Sequence, residues 1–169
     1  MMISKEISPP VSPGIIDLAE TVRSGIICGF RAGDERDNIV RIYGGGDDRC
    51  QDKLILSYGD VEFFFEEEHD RHSLMFSYIY PGQSDSSRVT GGPCFDIDAH
   101  GLAPEMIIDH FLGWLVSNKI SFTYSSDRDL EDNKFISING NAEACFGLAE
   151  NGNYTLQKIM LFSGFPRKT

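Results

Sequence analysis

The sequence reads DKLILSYGDVE over residues 52–62 and NKFISINGNAE over residues 133–143. A constant shift of 81 residues aligns the two stretches and places Gly59 over Gly140. In each stretch, apolar runs flank a glycine turn with polar neighbours, which is the pattern of a β-hairpin. The likeness predicts two related units that pack their apolar faces together. The alternative is a chance likeness between two hairpins of similar composition.

The first unit extends outward from residues 52–62. Alternating apolar residues predict three strands, at residues 54–57, 61–67 and 74–80. Residues 34–43 are predicted as a helix, because Asp34 and Glu35 can cap its start and the glycines at 44–46 end it. Upstream, residues 15–22 have helical spacing, and residues 26–30 are predicted as a short buried strand.

The second unit repeats this order after a connection at residues 81–101 that is rich in Gly, Ser, Pro and Asp. A core helix is predicted to begin at Pro104, a residue favoured at the first helical position, and to end near Asn118. Four strands follow, at residues 120–124, 135–138, 142–148 and 156–162.

The predicted fold is therefore α+β, with two related helix-strand-strand-strand halves forming an antiparallel or mixed sheet packed by helices. The halves span about residues 26–80 and 102–163, within a single domain of residues 14–169. Residues 1–13 contain Pro9, Pro10 and Pro13 among polar residues, so they are predicted to be a flexible arm.

The overall charge favours some partners over others. The formal net charge is -11 and the pI is about 4.7. A negative field repels nucleic acid and anionic lipid and favours a basic partner, although an acidic surface also simply keeps proteins soluble. No stretch approaches the roughly 20 apolar residues that span a membrane, and no secretory leader is recognisable, so we expect a cytoplasmic protein.

Candidate catalytic and metal-binding groups are few. The four cysteines are scattered without a CxxC pair, which disfavours a disulfide framework or a zinc site. His69 and His72 lie among carboxylates and would suit a metal-dependent hydrolase, but a charged, solvated hairpin tip is expected there. Cys94 could also form a nucleophilic triad with an aspartate and either His100 or His110. However, no glycine turn typical of an oxyanion site leads from a strand into a helix beside Cys94. We predict no enzyme, catalytic residue, metal or cofactor.

Acidic side chains are concentrated in two pseudo-equivalent regions, one in each half. The predicted partner-binding residues are Glu66, Glu67, Glu68, Asp70, Asp127, Asp129, Glu131 and Asp132. Such patches would steer a basic partner towards the protein and accelerate association. Alternatively, they are solubilising charges on loop tips.

Residues 33–48, followed by LSYGDVEFFF at residues 56–65, form a capped helix, a glycine-acid segment and an apolar strand. This pattern resembles immunity proteins of bacterial polymorphic-toxin and contact-dependent inhibition systems, and the likeness covers about residues 30–162. The resemblance implies a cognate toxin domain as partner, direct binding as mechanism, and no catalytic residues to transfer.

A second hypothesis is a small ligand-binding or scaffold module. In it, Tyr58, Tyr78, Tyr80 and Trp114 would line an apolar groove. The sequence leaves open whether the protein is a monomer or a dimer.

Overall fold

The computed structural model describes residues 14–46, 53–124 and 129–162, so the predicted arm at residues 1–13 lies outside the described residues. Within these ranges the chain forms three helices and nine strands. The helices are α1 (Leu18–Ser24), α2 (Arg36–Tyr43) and α3 (Ile108–Ser117). The strands are β1 (Ile16–Asp17), β2 (Ile55–Tyr58), β3 (Val61–Glu68), β4 (Arg71–Ile79), β5 (Ile97–Asp98), β6 (Phe122–Tyr124), β7 (Asn133–Ile138), β8 (Ala142–Leu148) and β9 (Tyr154–Leu161).

Seven strands form one antiparallel sheet in the order β2-β3-β4-β9-β8-β7-β6. Strands β1 and β5 form a separate two-stranded parallel sheet. The fold is therefore α+β, as the sequence predicts. None of the helices in the described ranges is long and apolar enough to cross a membrane.

The sheet consists of two meanders, β2-β3-β4 and β6-β7-β8-β9, and strands β4 and β9 join them at its centre. Their pairing covers three positions, from Ser77 opposite Leu161 to Ile79 opposite Ile159. Because the strands are antiparallel and overlap only at their C-terminal ends, the β3–β4 and β8–β9 hairpins extend in opposite directions.

The two meanders have corresponding irregularities. Strand β3 begins at Val61 and β8 begins at Ala142, 81 residues later. The pairing of β3 with β4 shifts between Phe64 and Phe65, and the pairing of β8 with β9 shifts between Cys145 and Phe146, again 81 residues later. Each shift is a β-bulge, which bends the strand and increases its local twist.

The segments that precede α2 and α3 are held by similar hydrogen bonds. The backbone N–H of Leu74 in β4 donates to the Asp34 carbonyl at 2.8 Å. The N–H of Leu156 in β9 donates to the Met106 carbonyl, also at 2.8 Å. Each helix therefore begins beside the last strand of its own meander.

The helices cover one face of the sheet and bury its apolar side chains. Phe111 of α3 contacts Phe146 of β8 with ring centroids 5.3 Å apart, and Tyr43 of α2 contacts Tyr58 of β2 at 6.0 Å. Phe63 is fully buried in the same core. Burial of each such side chain stabilises the fold by about 1.5–3 kcal/mol.

Three predicted elements differ from the structure. The helix predicted over residues 15–22 begins at Leu18, because Ile16 and Asp17 form strand β1, which pairs with β5. Residues 26–30 form a turn closed by an Ile27–Phe30 bridge instead of a strand, because Cys28 and Gly29 both have positive φ (56° and 77°). The core helix begins at Ile108 and not at Pro104, because Glu105 has a φ of 58°, which no right-handed helix accommodates.

Candidate functional site

The first acidic region lies at the end of the β3–β4 hairpin. Glu66, Glu67 and Glu68 are the last residues of β3, and His69 and Asp70 alone form the turn. Both turn residues have positive φ (50° and 62°), as a two-residue type I′ turn requires. The acidic residues therefore lie mainly on paired strands, which fix their spacing, and not in a loop. We call Glu66, Glu67, Glu68 and Asp70 the acidic tip.

All residues of the acidic tip are exposed to solvent. Two weak ion pairs accompany them: His69 lies 3.8 Å from Glu68, and Arg71 lies 3.8 Å from Glu35. At these distances and exposures an ion pair contributes little to stability. The carboxylates of the tip are thus accessible to a cationic partner.

The histidines of the predicted cluster are separated by their positions on the hairpin. The side chain of His69 is 90% exposed in the turn, whereas His72 is opposite Glu67 in the ladder. A shallow depression of about 70 Å³ lies beside His72, and its lining residues are Glu35, Arg36, Asp37, Asp70, Arg71 and His72. Among the residues that the structure describes, no group of three or more His, Cys, Asp or Glu side chains could hold a metal ion.

The second acidic region precedes β7. Asp129 accepts a 2.6 Å hydrogen bond from the Tyr124 hydroxyl, and this bond raises the pKa of Tyr124. The backbone carbonyls of Glu131 and Asp132 accept hydrogen bonds from the Tyr154 hydroxyl and the Leu148 N–H. Glu131 and Asp132 are exposed, whereas Asp129 is partly buried; Asp127 lies outside the described residues. This region serves partly to hold the β6–β7 connection.

The two acidic regions lie at opposite ends of the sheet. The acidic tip is at the start of β4, and residues 129–132 are beside the start of β9. From Arg71 to Ile79 and then from Ile159 to Tyr154, the path along the strands is on the order of 40 Å at roughly 3.3 Å per residue. The two regions are therefore separated along the direction of the strands.

His100 joins two segments of the small parallel sheet. Its Nε2 atom lies 2.9 Å from Asp17 Oδ1 and 3.8 Å from Asp98 Oδ2. Asp17 also accepts the Glu20 N–H as the cap of α1, and this bond, followed by His100, holds the pKa of Asp17 below its ordinary value. His110 is exposed on α3, and Cys94 is partly buried.

A groove of about 590 Å³ lies beside His100, and its lining residues include Ser87, Arg88, Val89 and His100 itself. It is open to solvent and has both polar and apolar walls. The His100 interactions tie α1 to the loop after β5, so they hold this region of the fold together.

The predicted aromatic groove is not formed. Tyr58 is fully buried and Trp114 is 6% exposed, both within the core, where the Tyr58 hydroxyl donates to the Gly44 carbonyl at 2.6 Å. Tyr78 and Tyr80 instead lie on the other face of the sheet, together with Phe64 and Phe76. The four tyrosine and tryptophan side chains therefore do not line one groove, because strand alternation sends Tyr58 and Tyr78 to opposite faces.

Phe64, Phe76, Tyr78 and Tyr80 form a continuous aromatic strip on the open face. Phe64 stacks on Phe76 at 5.1 Å, Tyr78 lies 5.3 Å from Phe76, and Tyr80 lies 5.2 Å from Tyr78. All four are partly exposed. Burial, assisted by Glu62, raises the pKa of Tyr80 to about 12, so this phenol stays neutral at physiological pH.

The aromatic strip could have been found from the sequence. Residues 63–65 are three consecutive phenylalanines, so a strand with Phe63 and Phe65 in the core must place Phe64 on the opposite face. The same alternation in β4 separates Tyr78 from Ile79. An aromatic column on the solvent side of a sheet is the missed signal.

No protein family model matches the chain, and no curated protein or solved structure matches it.

Proposed function

We propose that this chain is a non-catalytic immunity protein that binds a basic bacterial toxin domain and neutralises it by direct contact. The observation that carries the proposal is the acidic tip. Three consecutive glutamates and an aspartate lie on a hairpin that extends beyond Leu161, the last residue of β9 that pairs with β4. A projecting, exposed carboxylate cluster on a protein of net charge -11 suits encounter with a cationic surface.

We also infer that the sheet consists of two related halves. Two observations support this inference: the 81-residue spacing between the starts of β3 and β8 and between the two bulges, and the similar hydrogen bonds that the carbonyls of Asp34 and Met106 accept. Phe65 and Phe146 occupy equivalent positions beside the bulges and are both buried. We expect Phe65→Leu and Phe146→Leu to lower the free energy of unfolding by similar amounts; a several-fold difference would contradict equivalence.

Growth rescue tests the function. The C-terminal domain of any large toxin-like reading frame beside this gene would be expressed in a bacterial host with and without this chain. We expect the chain to restore growth and to co-elute with the toxin domain in size-exclusion chromatography. Absence of both rescue and complex would reject the proposal.

A charge-reversal pair tests the acidic tip. The triple variant Glu66→Lys, Glu67→Lys and Glu68→Lys should slow association with the toxin domain at least about ten-fold at low salt. The matched control is Glu131→Lys, Asp132→Lys and Glu150→Lys, three exposed residues at the opposite end of the sheet, which makes the same change in net charge. Equal slowing by both variants would show that net charge, and not the acidic tip, steers the encounter.

A further inference from the structure

The aromatic strip shares one face of the β3–β4 hairpin with Glu66 and Glu68 of the acidic tip. Glu62, Phe64, Glu66 and Glu68 alternate with the buried residues of β3, so they point to the open face. Their ladder partners on β4 are Tyr78, Phe76, Ser73 and Arg71 respectively. The aromatic side chains on this face therefore lie next to Glu62, and Glu66 and Glu68 continue from Phe64 towards the tip.

This face already holds a cation. The Lys158 ammonium lies over the Tyr78 ring, 5.0 Å from its centroid. Burial raises the pKa of Tyr78, and the negative charge of Glu143 raises it further. The π face of Tyr78 and the surrounding carboxylates thus create a site that favours positive charge.

The aromatic rings and carboxylates of this face together favour one kind of partner side chain. Carboxylates repel nucleic acid and anionic lipid, and a purely apolar partner would bury the exposed Glu66 carboxylate without compensation. A lysine ammonium pairs with carboxylates but is strongly hydrated. An arginine guanidinium pairs with a carboxylate bidentately and stacks on an aromatic ring, so it can use both kinds of side chain on this face at once.

We propose that the open face of the β3–β4 hairpin, formed by the aromatic strip with Glu62, Glu66 and Glu68, binds an arginine-containing segment of the basic partner. This inference rests on the proposed function and adds the chemistry of the contact. The acidic tip attracts the partner, and the aromatic strip selects arginine over lysine.

Binding of nona-arginine and nona-lysine peptides to the full chain tests the inference. Affinities would be measured by fluorescence anisotropy at two salt concentrations. We expect nona-arginine to bind at least about five-fold more tightly than nona-lysine, since stacking is available only to the guanidinium, and to retain more affinity at the higher salt concentration. Equal affinities for the two peptides would overturn the proposal.

The variants Phe76→Leu and Tyr78→Leu keep apolar volume while removing the π face. Each should reduce the arginine preference about two- to five-fold and leave nona-lysine binding unchanged. Phe135→Leu is the matched control, because Phe135 lies on β7, three strands away from β4. Urea unfolding would verify that each variant is folded. An unchanged arginine preference in both folded variants, or an equal loss in the control, would contradict the assignment.

The two proposals fail in distinguishable ways. Rescue of growth together with equal affinity for both peptides would remove the arginine site and leave the immunity function standing. Arginine selectivity without rescue or complex formation would leave the site and reject the toxin as its partner.

Discussion

The Ser84 hydroxyl donates a 2.7 Å hydrogen bond to Asp60 Oδ1, although Asp60 is fully buried. The Ser84 N–H donates to the same oxygen at 2.9 Å, and the Thr90 N–H donates to Oδ2 at 3.1 Å. A buried carboxylate in the β2–β3 turn therefore holds the long connection that follows β4.

Asp60→Asn should lower the free energy of unfolding by about 1–3 kcal/mol. The amide group presents N–H donors to a site that is lined by donors, so at least one hydrogen bond is lost within the fold. Asp85→Asn in the same connection is the control, because Asp85 is exposed, and it should change stability by less than about 0.5 kcal/mol. Urea unfolding measures both, and equal midpoints would show that Asp60 is not the anchor.

Gly59→Ala should destabilise the protein more than Gly29→Ala. Both glycines have positive φ (59° and 77°), so both variants pay roughly 1–2 kcal/mol for the left-handed conformation. A Cβ atom at Gly59 would also lie 2.3 Å from the Gly92 nitrogen, whereas one at Gly29 meets nothing within 4 Å. We expect at least about 2 kcal/mol of additional loss for Gly59→Ala in urea unfolding. Similar losses would mean that the 90–92 segment moves away freely.

Asp70→Gly should raise the free energy of unfolding by about 1 kcal/mol. Asp70 is the second turn residue of the β3–β4 hairpin with a φ of 62°, where glycine carries no steric penalty. Asp70→Ala is the control, since it removes the same charge and keeps the penalty. Thermal and urea unfolding should rank glycine above alanine; the reverse order would contradict the type I′ assignment.

Stability should fall as the pH rises from about 9 to about 11. Burial raises the pKa of the Cys28 thiol from 9.0 to about 11, and the side-chain hydrogen bond with Tyr43 acts in the opposite direction. Across this window the folded chain keeps a proton that the unfolded chain has lost, so the free energy of unfolding decreases by up to about 1.4 kcal/mol per pH unit. Cys28→Ala should make this decrease smaller in urea unfolding at several pH values, and the part that remains above pH 10 includes Tyr80, whose pKa burial also raises. Parallel curves for the two proteins would exclude Cys28 as the source.

The local sequence predicts the strands well, because alternation reports burial directly. Val61, Phe63 and Phe65 lie in the core as their spacing requires, and the glycine turn at residues 59–60 connects β2 to β3. The helix starts were predicted less well. Pro104 and Glu105 have the composition of a first helical turn, but the Met106 carbonyl is bound by β9, which places the start of α3 at Ile108.

The candidate site was predicted only in part. The acidic residues are visible in the sequence as a charge cluster, but their opposite placement on the sheet depends on which strands meet at the centre. The aromatic strip follows from alternation in β3 and β4, yet the stacking of Phe64 on Phe76 requires the bulged register.

The sequence by itself determines the hairpins, the α+β class and the acidic surface, because each depends on the side chains of neighbouring residues and on net charge. Tertiary structure alone decides that β4 pairs with β9, that Asp60 is buried beneath a distant connection, and that aromatic and acidic side chains share one face. These features depend on contacts between residues far apart in the chain, and local propensity carries no information about which distant partner gives the best packing.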